Sequence, residues 1–310
     1  MTQIDPRRLR VLQALADHGT VTAAGEALHL TPSAVSQQLA TLEAETGQEL
    51  LHRRGRRVSL TAAGELLVQH ANAVTAELER AQATLASFTT GARGRVELAS
   101  FASAITQVVA PAIQRLRQST PDVTVVVRDA EGHTSLPLLL DGEIDVAITE
   151  EYRPSHRTDL RVIRYPLYSE PFDAVLPAGH RLAGRRSIGL KELSGGDDDW
   201  IAPLPGNPCR DVVELAGASP RVTHTSDDFS AIVALVAAGA GIALVPRNAF
   251  TAADGAVAVP IGRSAPRRRV FVAVRRGSEE HPLIRTVLDG LLVTPGRASP
   301  GRPRTRRPRG

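Results

Sequence analysis

Apolar positions along the first ninety residues recur at helical spacing. Pro6 suits a first helical position, and Leu9, Leu12 and Ala16 share one face of a helix that Arg7 to Asp17 continues. His18-Gly19-Thr20 stops it. Val21 to Leu28 predicts a short alanine-rich helix, and His29-Leu30 turns the chain. Thr31-Pro32 joins a capping residue to an N1 proline and predicts a third helix reaching about Thr46-Gly47. Glu49 to Leu60 ends one strand and begins another around the basic Arg53-Arg54-Gly55-Arg56-Arg57. Three helices and a two-stranded wing form a winged helix-turn-helix outline. Thr61 then caps a long helix through about Phe88. Its Leu67, Ala71, Val74, Leu78, Ala81 and Leu85 follow spacings of 4, 3, 4, 3 and 4, a heptad seam. Such a seam packs on the chain's own globule or on a second copy. Its regularity, directly after a DNA-binding outline, favours dimerisation.

Residues 89–94 make a hinge-like break, after which strands alternate with helices. Strands are expected at Val96–Ser100, Val123–Arg128 and Ile144–Ile148, with helices at Ser103–Gln118 and Thr134–Leu140 between them. This βαβαβ order predicts a parallel, doubly wound sheet. The theme repeats through Phe172–Leu176, Trp200–Ile201, a helix from about Pro208 to Leu215, Arg221–Thr223, a helix from Asp227 to Ala238, and Gly241–Val245. A late strand at Arg269–Arg275 and a helix at His281–Leu292 close the pattern. Two α/β lobes joined by crossing strands would enclose a cleft.

Composition narrows the function. The chain has 310 residues, 42% of them hydrophobic, which suits two to three compact units and excludes disorder for the bulk. The most apolar stretch, Ala231 to Pro246, is shorter than a membrane span and is broken by two glycines. The first residues lack an apolar core, so a cytoplasmic location is expected. A lone Cys209 excludes an intramolecular disulfide and a multi-cysteine zinc site. The formal charge of +4 misleads, because six arginines lie in the acid-free stretch after residue 294; without them the remainder carries −2. The nine histidines show no metal-ligand spacing, and no nucleophile elbow or phosphate loop occurs. Asp197-Asp198-Asp199 lacks the spacing of a calcium loop and is expected to be a solvated turn. No cofactor, metal or catalytic residue is therefore expected.

The third helix carries the chemistry. Val35, Leu39 and Leu42 face inward, leaving a small polar face that contains no acid before Glu43. Gln37 can pair bidentately with adenine, Ser33 and Ser36 can bond bases or phosphate, and Pro32 and Ala34 can touch thymine methyls. Arg7, Arg8 and Arg10, with Arg53, Arg54, Arg56 and Arg57 on the wing, cluster beside this face and suit phosphate anchoring.

The run from Leu9 to Leu67 resembles the LysR-type transcriptional regulators without a gap. The resemblance rests on the alanine-rich second helix, the Pro-x-x-x-Ser start of the third, the Leu42-Glu43 pair and the Thr61-to-Gly64 start of the long helix. It extends more loosely through TPDVTVVV, DGEIDVAI and SDDFSAIVALVAAGAGIALVP, covering about residues 4–294. The resemblance implies an N-terminal winged helix-turn-helix over residues 1–60, a linker and dimerisation helix over 61–90, and a two-lobed, periplasmic-binding-protein-like α/β effector domain over 95–294. Lobe I is expected at 95–164 and 263–294, lobe II at 165–262, and a disordered Arg/Pro-rich tail at 295–310. The family's base-reading positions fall on Pro32, Ser33, Ala34, Ser36 and Gln37, with wing contacts on Arg56 and Arg57. Many members carry glutamine at the position of Pro32 or Ser33 and arginine at that of Gln37, so this helix is less cationic than theirs.

The same resemblance implies a small-molecule effector between the lobes. Ser100, Ser103, Thr149, Thr225 and Ser226 sit at strand ends and helix starts, where they serve as ligands to an effector or as simple caps. Glu150, Glu151, Asp227 and Asp228 are expected to be solvated or to pair with helix dipoles, the alternative being an acidic cleft that favours a cationic effector. Cys209, at a helix start beside Arg210, is expected to have a lowered pKa, and near this point redox-sensing relatives carry a reactive cysteine. The sequence thus predicts a regulator, not an enzyme. Its partners would be double-stranded promoter DNA, an effector of unknown identity and further copies of itself as homodimer or homotetramer, with RNA polymerase a candidate and no membrane. Two alternatives stay open: a redox-responsive regulator acting through Cys209, and a small-molecule-binding protein or enzyme whose basic N-terminus is incidental.

Overall fold

A computed structural model describes residues 4–54, 57–88, 92–152, 159–193, 197–214, 220–262 and 265–293. The tail expected at 295–310 lies outside the described residues. The N-terminal unit is α1 (Pro6–His18), α2 (Val21–Ala27) and α3 (Pro32–Thr46), followed by the antiparallel wing strands β1 (Leu51–Arg54) and β2 (Arg57–Leu60). Each helix start is capped by the side chain that precedes it: Asp5 on Arg7, Thr20 on Ala23, Thr31 on Ala34. Leu12, Ala24, Val35, Leu39 and Leu42 close the core between the helices.

Two elements of the sequence pattern have direct structural causes. Glu43 Oε1 accepts the backbone N–H groups of Leu50 (2.9 Å) and Leu51 (3.1 Å), so it fixes where the wing begins. Thr61 caps the N–H of Gly64 at 3.0 Å, and a Cβ at Gly64 would lie 2.3 Å from the Leu50 carbonyl. Only glycine lets the start of α4 (Ala62–Ser87) lie against the wing.

The C-terminal domain contains β3 (Gly94–Ser100), α5 (Ala102–Ala104), a π-helical turn, α6 (Ala110–Ser119), β4 (Val123–Asp129), α7 (Gly132–Asp141), β5 (Val146–Glu151) and β6 (Val162–Pro177). There follow α8 (Leu190–Leu193), β7 (Trp200–Ala202), α9 (Pro208–Glu214), β8 (Val222–Thr225), α10 (Phe229–Ala237), β9 (Ala243–Pro246), β10 (Ala256–Pro260), β11 (Arg267–Arg275) and α11 (Pro282–Leu292). In lobe I, β4, β3 and β5 run parallel, as expected, but β11 is antiparallel to β5 and to β6. The sheet is therefore mixed, because the crossing strands return against the βαβ direction. Residues 162–171 of β6 pair with β11, and only from Phe172 does β6 pair with β9 and β10 of lobe II. The first crossing thus falls after Pro171, not at Tyr165.

Lobe II packs around Phe172, Trp200, Ile232 and Val245, whereas lobe I has buried clusters on both faces of its sheet, one around Leu98, Ile148 and Val272 and one around Leu139 and Ile144. The N-terminal unit rests on lobe I. Asp17 pairs with Arg161 at 2.6 Å, and His18 Nε2 lies 3.1 Å from Asp141. Farther along α4, Glu79 pairs with Arg275 of β11 at 2.9 Å. Gly277, at φ 96°, lies so close beneath α4 that a Cβ there would meet the Ala76 carbonyl.

Candidate functional site

The outer face of α3 is open. Pro32, Ser33 and Gln37 are exposed, and Ala34 and Ser36 half-buried. Thr31 and Ser33 hydroxyls lie 3.0 Å apart, and Thr41 donates to the Gln37 backbone carbonyl. Arg53, Arg54 and Arg57 lie on the wing strands; Arg56 lies outside the described residues. Of the first-helix cations, Arg7 and Arg10 are exposed, whereas Arg8 is committed to Glu45. The phosphate-anchoring cluster is thus smaller than the sequence suggests.

The heptad seam of α4 divides. Leu67 is half-buried and Ala71 fully buried against the chain's own helix-turn-helix core. Val74, Leu78, Ala81 and Leu85 are exposed, with Leu78 52% and Leu85 70% accessible. Leu66 and Phe88, also exposed, extend that apolar stripe.

Between the lobes lies a cavity of about 120 Å³ lined by residues of both, among them Phe101, Ser103, Glu131, Asp227, Phe229 and Arg268. Arg268 organises it. Its guanidinium is 1% exposed and bonds Glu150 at 3.1 Å, Glu170 at 2.6 Å and Ser103 Oγ at 3.1 Å. It also stacks over Phe101 and Phe229, 4.9 and 5.9 Å from their ring centres. Two buried carboxylates hold Arg268 charged, and burial pushes the Glu150 carboxyl up against the pull of Arg268. Across the cleft, Asn207 donates to Glu131 and Gln107 donates to the Asn248 carbonyl at 2.6 Å. These bonds tie lobe I to lobe II.

Ser103 is the one expected effector residue on this cavity wall. It is not a cap: α5 begins after Phe101, with no side-chain cap bond. Ser100 is fully buried and donates to the Phe101 carbonyl. Thr149 is buried against Gly132, Thr225 is exposed on β8, and Ser226 braces the N–H of Asp228. The residue capping α10 is Asp228, not Thr225 or Ser226. Glu150 is likewise not a solvated acid, because the strand register turns it inward onto Arg268. Glu151 pairs with Arg164 and Arg269, and in the acidic turn Asp198 pairs with His180 and Asp199 with Arg221.

Cys209 departs most from expectation. Its thiol is buried, 2.6 Å from the Tyr152 hydroxyl and 3.9 Å from Glu150. Burial, then the Glu150 charge, pushes its pKa well up, and Arg210 turns away to the Pro203 carbonyl. The thiolate that a redox switch needs is disfavoured here.

Arg268, Glu131, Glu170, Gln107 and Asn248 carried no motif. Arg268 sits in an Arg-Arg-Arg run of an arginine-rich chain, and its charge partners are 98 and 118 residues away in sequence.

An exposed helix-turn-helix face beside a wing, joined by a long helix to a two-lobed domain with a cleft, defines a DNA-binding regulator with a ligand domain. The sequence matches the family described as "Bacterial regulatory helix-turn-helix protein, lysR family" over residues 6–65 and "LysR substrate binding domain" over residues 89–293. The chain belongs to the LysR family: it is a DNA-binding transcriptional regulator with an effector domain, and its relatives are regulators rather than enzymes. It is 30% identical to the nitrogen assimilation regulatory protein nac of Klebsiella aerogenes, over 81% of each chain. It is 28% identical to a probable hydrogen peroxide-inducible genes activator of Mycobacterium avium, over 87% of this chain and 88% of the relative. Its fold is similar to that of a full-length OxyR variant of Pseudomonas aeruginosa, with a TM-score of 0.60 and 23% identity, covering 94% of this chain and 98% of that one. No helix among the described residues is long and apolar enough to cross a membrane.

Proposed function

We propose that this regulator reads promoter DNA with α3 and changes its grip when a small effector occupies the interlobe cavity beside Ser103. Pro32, Ser33, Ala34, Ser36 and Gln37 form the reading face, and Arg53, Arg54, Arg56 and Arg57 hold phosphates from the wing. The observation that carries this reading is the open, acid-free outer face of α3 between the capped helix start and the wing. The exposed stripe Val74, Leu78, Ala81 and Leu85 pairs two copies, so that two α3 helices meet successive major grooves. Pairs of such dimers form the tetramer. The protein works in the cytoplasm, where its output passes to RNA polymerase at the promoter.

Strand β11 supports a physical route for the response. It carries Arg268 at the cleft and Arg275 against Glu79 of α4. Seven residues of strand span roughly 23 Å, so one rigid element joins the effector wall to the linker helix. An effector that favours one lobe arrangement biases the DNA-bound state through that element. Footprinting of the full-length protein on the intergenic DNA beside its own gene tests the function. The expected result is two protected half-sites separated by whole helical turns. An absence of protection on any neighbouring promoter, with the protein folded, would contradict it.

A further inference from the structure

The cavity between the lobes is walled by carboxylates whose charge the protein does not cancel. Glu131, Asp227 and Asp228 all line it. Arg268 is the only cation on the wall among the described residues, and it is already shared between two buried acids, Glu150 and Glu170. The polar groups that hold the other carboxylates are neutral. Asp227 accepts from the Leu204 amide and Asn207, Asp228 accepts from the Ser230 amide, and Asn207 donates to Glu131. Neutral donors order a carboxylate without removing its charge. Five acids therefore surround one base in a site with two aromatic walls, Phe101 and Phe229.

We propose that this cavity takes a small organic cation, an ammonium or guanidinium, held by Glu131, Asp227 and Asp228. The proposal rests on the cleft being the effector site and names the class of effector. An anionic ligand would meet like charge at every carboxylate, with no free cation among the described residues of the wall to receive it. Size gives a second constraint. The volume of about 120 Å³ is somewhat below the ~150 Å³ of an engineered cavity that admits benzene, so a ligand of about six heavy atoms fits. A linear alkyldiamine has that size, and its ammonium groups can reach carboxylates of both lobes, Glu131 on one and Asp227 on the other. The cation then adds to the Asn207 bridge that already ties the lobes.

A further consequence follows from the state of Glu131. Burial, then the charges of Glu150 and Asp227, raises its carboxyl to about 7, with Asn207 pulling the other way and Asp129 adding a small push. At neutral pH this group is partly protonated, and an arriving cation expels the proton. Binding is therefore tighter at pH 8 than at pH 6 and releases protons into the buffer.

Titration calorimetry on the full-length protein tests this with putrescine and methylguanidine, against the neutral 1,4-butanediol and the dianionic succinate. The cations should bind, with heats that differ between phosphate and Tris buffers because a proton is released. Glu131→Gln should weaken putrescine binding about tenfold or more and abolish the buffer dependence. Thr251→Trp, at an exposed position on the cavity rim, should block it. Succinate or butanediol binding that Thr251→Trp abolishes would overturn the cation assignment and leave the cleft as the effector site. Putrescine binding that neither substitution alters would place the ligand elsewhere and overturn both. Absence of binding by putrescine and methylguanidine alike would overturn the cation assignment.

Discussion

Arg268 of β11 stands directly across the ladder from Glu170 of β6, and its Nη2 lies 2.6 Å from that carboxylate. The same guanidinium reaches Glu150 of β5, so one buried cation joins three neighbouring strands at the point where the chain passes between lobes. Removing it strands two carboxylates in the interior. Arg268→Ala should cost about 3–5 kcal/mol of stability. The double variant Glu150→Gln, Glu170→Gln should recover part of the loss in the Arg268→Ala background, because no charge then remains unpaired. Thermal or urea unfolding of the three proteins checks this; equal stability of Arg268→Ala and wild type would contradict it.

Glu131 makes stability depend on pH with a definite sign. Its folded pKa is raised from an ordinary 4.5 to about 7, so the folded state holds more protons between those values. Unfolding free energy attributable to this group is then fully present below about pH 4.5 and falls as pH rises through 7. Glu131→Gln removes the repelled charge while keeping an acceptor for Asn207. Its melting temperature should exceed that of wild type at pH 8, and the gap should close towards pH 5. A gap independent of pH would contradict the assignment.

Much of this architecture was legible in the sequence, where local chemistry dictates local structure. The Thr31-Pro32 start, the Thr61 cap and Gly64 each answer to contacts within a few residues or to one close carbonyl. The first half of β6 was not legible, because Pro166 and Pro171 read as strand breakers. The ladder absorbs Pro166 at an irregularity opposite Val270 and Phe271, where Leu167 is left out of register. The candidate site was half legible. The face of α3 follows from helical periodicity alone, whereas the Arg268 cluster depends on which strands pair. That pairing also explains why Glu150 is buried and why Cys209 meets Glu150 and Tyr152 instead of solvent.

Glu79 and Arg275 link the linker helix to the strand that carries Arg268. Glu79→Gln should leave ligand affinity within about twofold of wild type, because Glu79 lies outside the cavity wall, and reduce the effector-dependent change in DNA affinity. Calorimetry and DNA titration on one preparation separate the two quantities. An unchanged response would remove this pair from the coupling route.

Leu78 lies 52% exposed on the outer stripe of α4. Leu78→Glu should convert the assembled protein to monomer in sedimentation, because an unpaired charge at a paired-helix seam is costly to bury. Its melting temperature as a monomer should stay close to that of the diluted wild type. Retention of the assembled state would exclude this stripe as the interface.

Gln37→Ala asks whether α3 reads base sequence through its exposed side chains. The measurement is the ratio of affinities for the footprinted operator and for a scrambled duplex, taken at several salt concentrations. The substitution should lower operator affinity by about 1–3 kcal/mol, leave scrambled-duplex affinity unchanged and keep the salt slope. An unchanged ratio would contradict base reading by α3.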